Sequence, residues 1–157
     1  MTVSKFLTMP EINDNKIERD IVVVGASAGG VEAIVELTKG LPVNFNATMF
    51  IVLHMPPHGV TNLHKIINSK SNIKAVLAED GMTMERGKIY CAQPDFHLIL
   101  EKDQMLLRRG PRENHCRPAV DVLFRSAALH FEQRVIGVVL SGALNDGTSG
   151  MWSIKEA

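Results

Sequence analysis

Ile21-Val22-Val23-Val24-Gly25-Ala26-Ser27-Ala28-Gly29-Gly30 runs from four β-branched or branched apolar residues straight into small ones. A continuous apolar run of this length is what a strand needs when both of its faces are covered by helices. The small residues that follow allow the chain to turn sharply, and Gly25-Ala26-Ser27-Ala28-Gly29 has the G-x-S-x-G spacing that leaves a serine hydroxyl exposed between strand and helix. Val31, Ile34, Val35 and Leu37 then mark the apolar side of a helix over 29–39, stopped by Gly40-Leu41-Pro42.

Two further apolar runs end at polar groups. Phe50-Ile51-Val52-Leu53 closes a strand expected over 47–53 and is followed at once by His54. Val135-Ile136-Gly137-Val138-Val139-Leu140 leads into Ser141-Gly142-Ala143-Leu144-Asn145-Asp146-Gly147. In a parallel sheet the residues just beyond the carboxyl ends of the strands share one edge. Ser27, His54 and Asp146 are therefore expected on one rim, the residue set of a serine hydrolase triad.

The rest of the chain fits around this frame. Helices are expected over 60–68, with Leu63, Ile66 and Ile67 inward, from Pro118 onward with Val120, Leu123, Phe124, Ala127 and Ala128 inward, and from Thr148. Short strands are expected over 73–77 and 87–92. His97-Leu98-Ile99-Leu100 and Met105-Leu106-Leu107 flank the turn Lys102-Asp103-Gln104 and read as an antiparallel hairpin within the sheet. The fold class is α/β, a three-layer α/β/α arrangement with a mostly parallel sheet and an antiparallel hairpin. Residues 1–19, with Pro10 and Asn13-Asp14-Asn15, read as an arm or linker remnant, and 20–157 as one catalytic domain. The last helix has no closing Gly or Pro, so the domain is expected to be truncated before a final strand and helix.

The chain has 157 residues, of which 45% are apolar, with 17 basic and 17 acidic side chains. That size and composition suit a single domain with its own core, and the zero formal charge argues against a broad nucleic-acid surface. Cys91 and Cys116 form no C-x-x-C pair and do not suggest a disulfide scaffold. No run reaches the ~20 apolar residues that cross a bilayer, and the start lacks a secretory pattern. A cytoplasmic location without membrane insertion is the resulting expectation. His58, His64, His115 and His130 show no metal-ligand spacing, so neither metal nor cofactor is expected.

The small-residue loop has other readings. It could cradle a phosphate at a helix N-terminus, but it lacks both the G-x-G-x-x-G and the G-x-x-x-x-G-K-[ST] spacing. Ser27 could equally be a simple helix N-cap. Asn145-Asp146-Gly147 is also ordinary turn chemistry. The residues taken one by one leave these alternatives open.

Taken together, the motifs resemble the catalytic domain of the chemotaxis protein-glutamate methylesterases. V-V-G-A-S-A-G-G at 23–30, V-L-H-M-P at 52–56, E-D-G-M at 79–82, I-Y-C-A-Q-P-D-F-H at 89–97, R-P-A-V-D-V-L-F-R-S at 117–126 and G-V-V-L-S-G-A-L-N-D-G at 137–147 occur in family order. The resemblance implies Ser27 as nucleophile, His54 as base and Asp146 as the group orienting it. It implies the backbone N–H groups of Ala28 and Ala143 as an oxyanion hole. His97 and Arg117 match family motifs and are expected either to line the substrate face or to fix loops to the sheet.

The implied activity removes methyl groups from glutamates of chemoreceptor cytoplasmic helical domains, with glutamine deamidation in some members. A receiver domain or a receptor methyltransferase is the implied partner. Ala143-Leu144 stands where the family commonly has Met-Gly, and Ala28 where many members have Thr or Ser. These departures keep two alternatives: a non-catalytic protein-interaction domain with the same fold, or a serine hydrolase for another protein substrate.

Overall fold

A computed structural model describes residues 17–56, 58–59, 61–141 and 145–157. In chain order it contains β1 (Ile21–Ala26), α1 (Val31–Lys39), β2 (Thr48–Leu53), α2 (Leu63–Lys70), β3 (Lys74–Leu77), β4 (Lys88–Cys91), β5 (His97–Leu100), β6 (Met105–Arg108), α3 (Val120–Phe131), β7 (Val135–Val139) and α4 (Thr148–Glu156). One turn of 3₁₀ helix, Ala28–Gly30, joins β1 to α1.

Five strands form a parallel sheet in the order β3-β4-β2-β1-β7. β1 and β2 are buried along their whole length, which explains their unbroken apolar sequence. On one face, Ile34 of α1 and Leu63 and Ile67 of α2 pack against Val22, Val24, Met49 and Ile51. On the other, Val120, Leu123, Phe124 and Ala127 of α3 pack against Val23, Phe50 and Val52. α4 joins this second layer, with Met151 and Ile154 against the same cluster. Three layers result, as the apolar patterning requires. Among the described residues no helix is long and apolar enough to cross a membrane.

The hairpin forms, but not inside the main sheet. β5 and β6 make a separate antiparallel pair whose Leu98, Leu100, Met105 and Leu107 join the α3-side core. Their burial comes from packing against a helix, which gives them no reason to hydrogen-bond to β4. Two smaller expectations also shift. α2 starts at Leu63 and buries Leu63 and Ile67, four residues apart, so Ile66 turns outward and is 39% exposed. Pro118 precedes α3 rather than opening it, because the first helical residue is Val120.

The amino-terminal ends of β1 and β7 are clamped by charge. Buried Asp20 accepts hydrogen bonds from Arg134 Nε at 2.8 Å and Nη2 at 2.9 Å. These contacts hold the Asp20 carboxyl below its ordinary range against the opposing effect of burial. The arm expected over 1–19 lies outside the described residues up to residue 16.

Candidate active site

The parallel register decides which groups meet at the opposite rim. β1 pairs with β2 from Ile21 opposite Thr48 to Ala26 opposite Leu53. Ser27 and His54 are thus the next residues on neighbouring strands, and His54 N donates to Ala26 O at 2.9 Å to continue the ladder. On the other side, β1 pairs with β7, and Ser27 N donates to Ser141 O at 3.1 Å. Asp146 returns to this edge from the segment after β7.

His54 and Asp146 are joined by a short polar contact, with Nε2 to Oδ2 at 2.6 Å. A carboxylate only accepts, so Nε2 carries the proton and Nδ1 holds the free lone pair. The His54 side chain is 19% exposed and that of Asp146 is fully enclosed. Ser27 Oγ lies beyond Ala26 and hydrogen-bonds to Ser141 Oγ at 3.1 Å. It makes no cap bond to the 3₁₀ turn it precedes. Among the described residues no hydrogen bond joins Ser27 to His54; the structure pairs His54 with Asp146 and leaves the serine on Ser141.

Asp146 is held by more than His54. Its Oδ2 accepts Val120 N at 2.7 Å and its Oδ1 accepts Asp121 N at 2.9 Å, the first two amides of α3. Asn114 Nδ2 adds a third donor outside His54, at 3.0 Å to Oδ1. Burial acts to raise the Asp146 pKa. Donation from His54, the two amides and Asn114 outweighs it, so the carboxyl sits below its ordinary value.

The converse contact completes a reciprocal pair of caps. Asp121, in the first turn of α3, accepts Gly147 N at 3.0 Å and Gly150 N at 2.7 Å, both at the start of α4. Asp146, just before α4, caps α3 in return. Each carboxylate satisfies helix amides that would otherwise lack acceptors and sits at the positive end of the other's helix. Asn114 Nδ2 ties them together, at 2.8 Å to Asp121 Oδ2. Sequence reading missed Asn114, Asp121 and Ser141, because caps are sought within one helix and these come from another segment.

The remaining expected positions divide. Ala28 opens the 3₁₀ turn, where its backbone N–H has no acceptor within the helix. Ala143 lies outside the described residues. Arg117 lines a cavity of about 80 Å³ with His54, Met55, Arg112, Cys116 and Pro118. Its guanidinium is held by Asp95 and by Gly110 O at 2.8 Å. His97 is only 3% exposed; its Nε2 meets Pro111 O at 2.8 Å and its Nδ1 accepts Ala119 N at 3.2 Å. Both ring nitrogens are used by backbone, so His97 ties together the segments around Pro111 and Ala119. The cavity beside His54 is far smaller than the roughly 300–1,000 Å³ of a small-molecule pocket. A wider cavity of about 460 Å³ between β7 and α4 touches Asp146 but includes neither Ser27 nor His54.

Comparison with known proteins places the chain among relatives. The family model described as CheB methylesterase matches residues 22–157. A Leptospira interrogans protein is 37% identical over 138 residues, covering 87% of this chain and 72% of its own. The protein-glutamate methylesterase/protein-glutamine glutaminase of Trichodesmium erythraeum is 38% identical over 144 residues; 89% of this chain matches 41% of that one, so this chain spans well under half its length. The crystal structure of the Thermotoga maritima CheB methylesterase catalytic domain superposes with a TM-score of 0.84 at 35% identity, over 89% of this chain and 76% of that one.

Proposed function

Because this chain belongs to the CheB methylesterase family, we propose that it is a serine hydrolase acting on glutamyl methyl esters of chemoreceptor cytoplasmic helical domains. The observation that carries the reading is the 2.6 Å His54–Asp146 contact, with His54 just past the strand that pairs with the one leading into Ser27.

The chemistry follows from that geometry. Ser27 Oγ turns from Ser141 toward His54 and attacks the γ-carbonyl carbon of the ester, and its proton passes to His54 Nδ1. Asp146 keeps the ring in the required tautomer and stabilises the imidazolium. The oxyanion of the tetrahedral intermediate accepts hydrogen bonds from the N–H groups of Ala28 and Ala143. Collapse breaks the bond to methoxide, which leaves as methanol with the proton from His54. Water then attacks the acyl-serine, gives its proton to His54, and releases the glutamate carboxylate as Ser27 recovers its hydrogen. With a glutamine side chain the same steps release ammonia. A receiver domain or a methyltransferase in the same pathway is the proposed partner.

The test is methanol release from a methylated receptor cytoplasmic domain, with wild type beside Ser27→Ala. Release by wild type that falls by at least about 10³-fold in the variant supports the reading. No release from folded wild type, with no labelling by a fluorophosphonate, would favour the protein-interaction alternative. Labelling without release would favour another protein substrate.

A further inference from the structure

We propose that the proposed catalytic base belongs to a second, inhibitory site, in which His54, Asp146 and Cys116 bind a single zinc ion. One ligand atom from each of the three lies within 4.8 Å of the other two. The set comes from three separate parts of the chain: His54 follows β2, Cys116 precedes α3 and Asp146 precedes α4. Linear spacing therefore could not reveal it.

The donor set suits the ion. A thiolate, an imidazole nitrogen and a carboxylate oxygen are the three ligand types zinc takes in proteins, with bonds of about 2.0–2.3 Å. Three protein ligands leave a fourth position for water. A thiolate and a carboxylate together carry two negative charges, so a divalent ion leaves the enclosed group neutral. The softness of sulfur favours zinc over magnesium or calcium.

Access and competition also fit. His54 and Cys116 both line the 80 Å³ cavity, which gives the ion an entry path. Arg112, His115 and Arg117 line it too, and the Arg117 guanidinium is committed to Asp95 and Gly110 O. Cys91, the other cysteine, is fully buried in the core and offers no rival thiol.

The ion enters by displacing one proton to solvent, from Cys116 Sγ, while the His54 proton moves from Nε2 to Nδ1 and the ring stays neutral. The ion replaces the 2.6 Å His54–Asp146 hydrogen bond with two metal bonds. His54 can then no longer turn over protons for Ser27, so ester hydrolysis stops while zinc is bound. Ion binding needs no esterase activity; only the inhibition rests on the proposed function.

Binding is measured directly on the whole chain, by zinc competition with a chromophoric chelator and by absorption after loading cobalt(II). Wild type is expected to bind one equivalent and to show a thiolate-to-cobalt charge-transfer band. Cys116→Ala is expected to lose the band and at least about 100-fold in zinc affinity, since even supporting residues around a metal cost 10–100-fold. Ser27→Ala, which keeps all three ligands, is expected to bind as wild type does. Equal zinc affinity in Cys116→Ala, or a cobalt spectrum without the sulfur band, would overturn the site. If methanol release is active, each protein is compared with itself plus and minus zinc. Inhibition of wild type that persists unchanged in Cys116→Ala would also overturn it.

Discussion

Replacing Asp121 by asparagine changes a single oxygen to an amide nitrogen, yet the network around it has no relaxed arrangement. With Oδ1 kept toward Gly147 N and Gly150 N, the new NH₂ faces the Asn114 NH₂ across a distance that was 2.8 Å. Turning the Asn114 amide over removes that clash, but then its oxygen confronts Asp146 Oδ1, which it had served as a donor at 3.0 Å. One part-buried contact is lost in either case, costing about 1 kcal/mol, and the two glycine amides lose a charged acceptor at about 1 kcal/mol each. The expected total is about 3 kcal/mol, a large share of a domain stability of ~5–15 kcal/mol. In urea this appears as a midpoint lower by about 1.5 M for a slope near 2 kcal/mol/M. A double-mutant cycle with Asn114→Ala should show coupling of about 1 kcal/mol between the two sites. A loss under about 0.5 kcal/mol, with no coupling, would refute the view that the two carboxylates and Asn114 act as one unit.

The Asp146 carboxyl is held below its ordinary pKa, so its contribution to stability is present above about pH 4 and disappears as pH falls through its folded value. The advantage of wild type over Asp146→Asn in urea midpoint should therefore be largest near about pH 7 and shrink by about pH 3; an equal gap at both would contradict it. Gly150→Ala would bring a Cβ to 2.4 Å from Phe124 Cβ, a contact that no flexible chain end can relieve. Thermal melting should show a loss of about 1–3 kcal/mol, and an unchanged melt would mean α4 can slide on α3 freely. Tyr90→Phe removes a hydroxyl that accepts Glu85 N at 3.0 Å and donates to Thr83 O at 3.4 Å. Stability should fall by about 1 kcal/mol, with the rate of methanol release kept, because that hydroxyl serves the loop before β4 rather than the rim.

How much of this could be read from the chain depends on the range of each signal. Ser27 and His54 were visible because each directly follows an apolar run, and the parallel register then makes them neighbours. The burial of β1 and β2 was written in consecutive apolar residues. Ile66 escaped because three apolar residues over five positions fit more than one helical phase, and contact with the sheet chose Leu63 and Ile67. The hairpin was readable as a hairpin but not as a separate sheet, since alternation reports which faces are buried and not which strand lies alongside. Asp121, Asn114 and Cys116 act on residues 25 or more positions away, or with no local pattern at all, and only the assembled fold gathers them.

The reciprocal caps give the members of the proposed triad unequal fates under drift. Asp146 anchors the first turn of α3, so selection for folding alone would retain it after all chemistry had ceased. Among the described residues the Ser27 hydroxyl bonds only to another hydroxyl at the protein's rim, and no structural contact there defends it once it is no longer used. An aspartate at this place in a decayed descendant would therefore testify to architecture, and the serine to a living reaction.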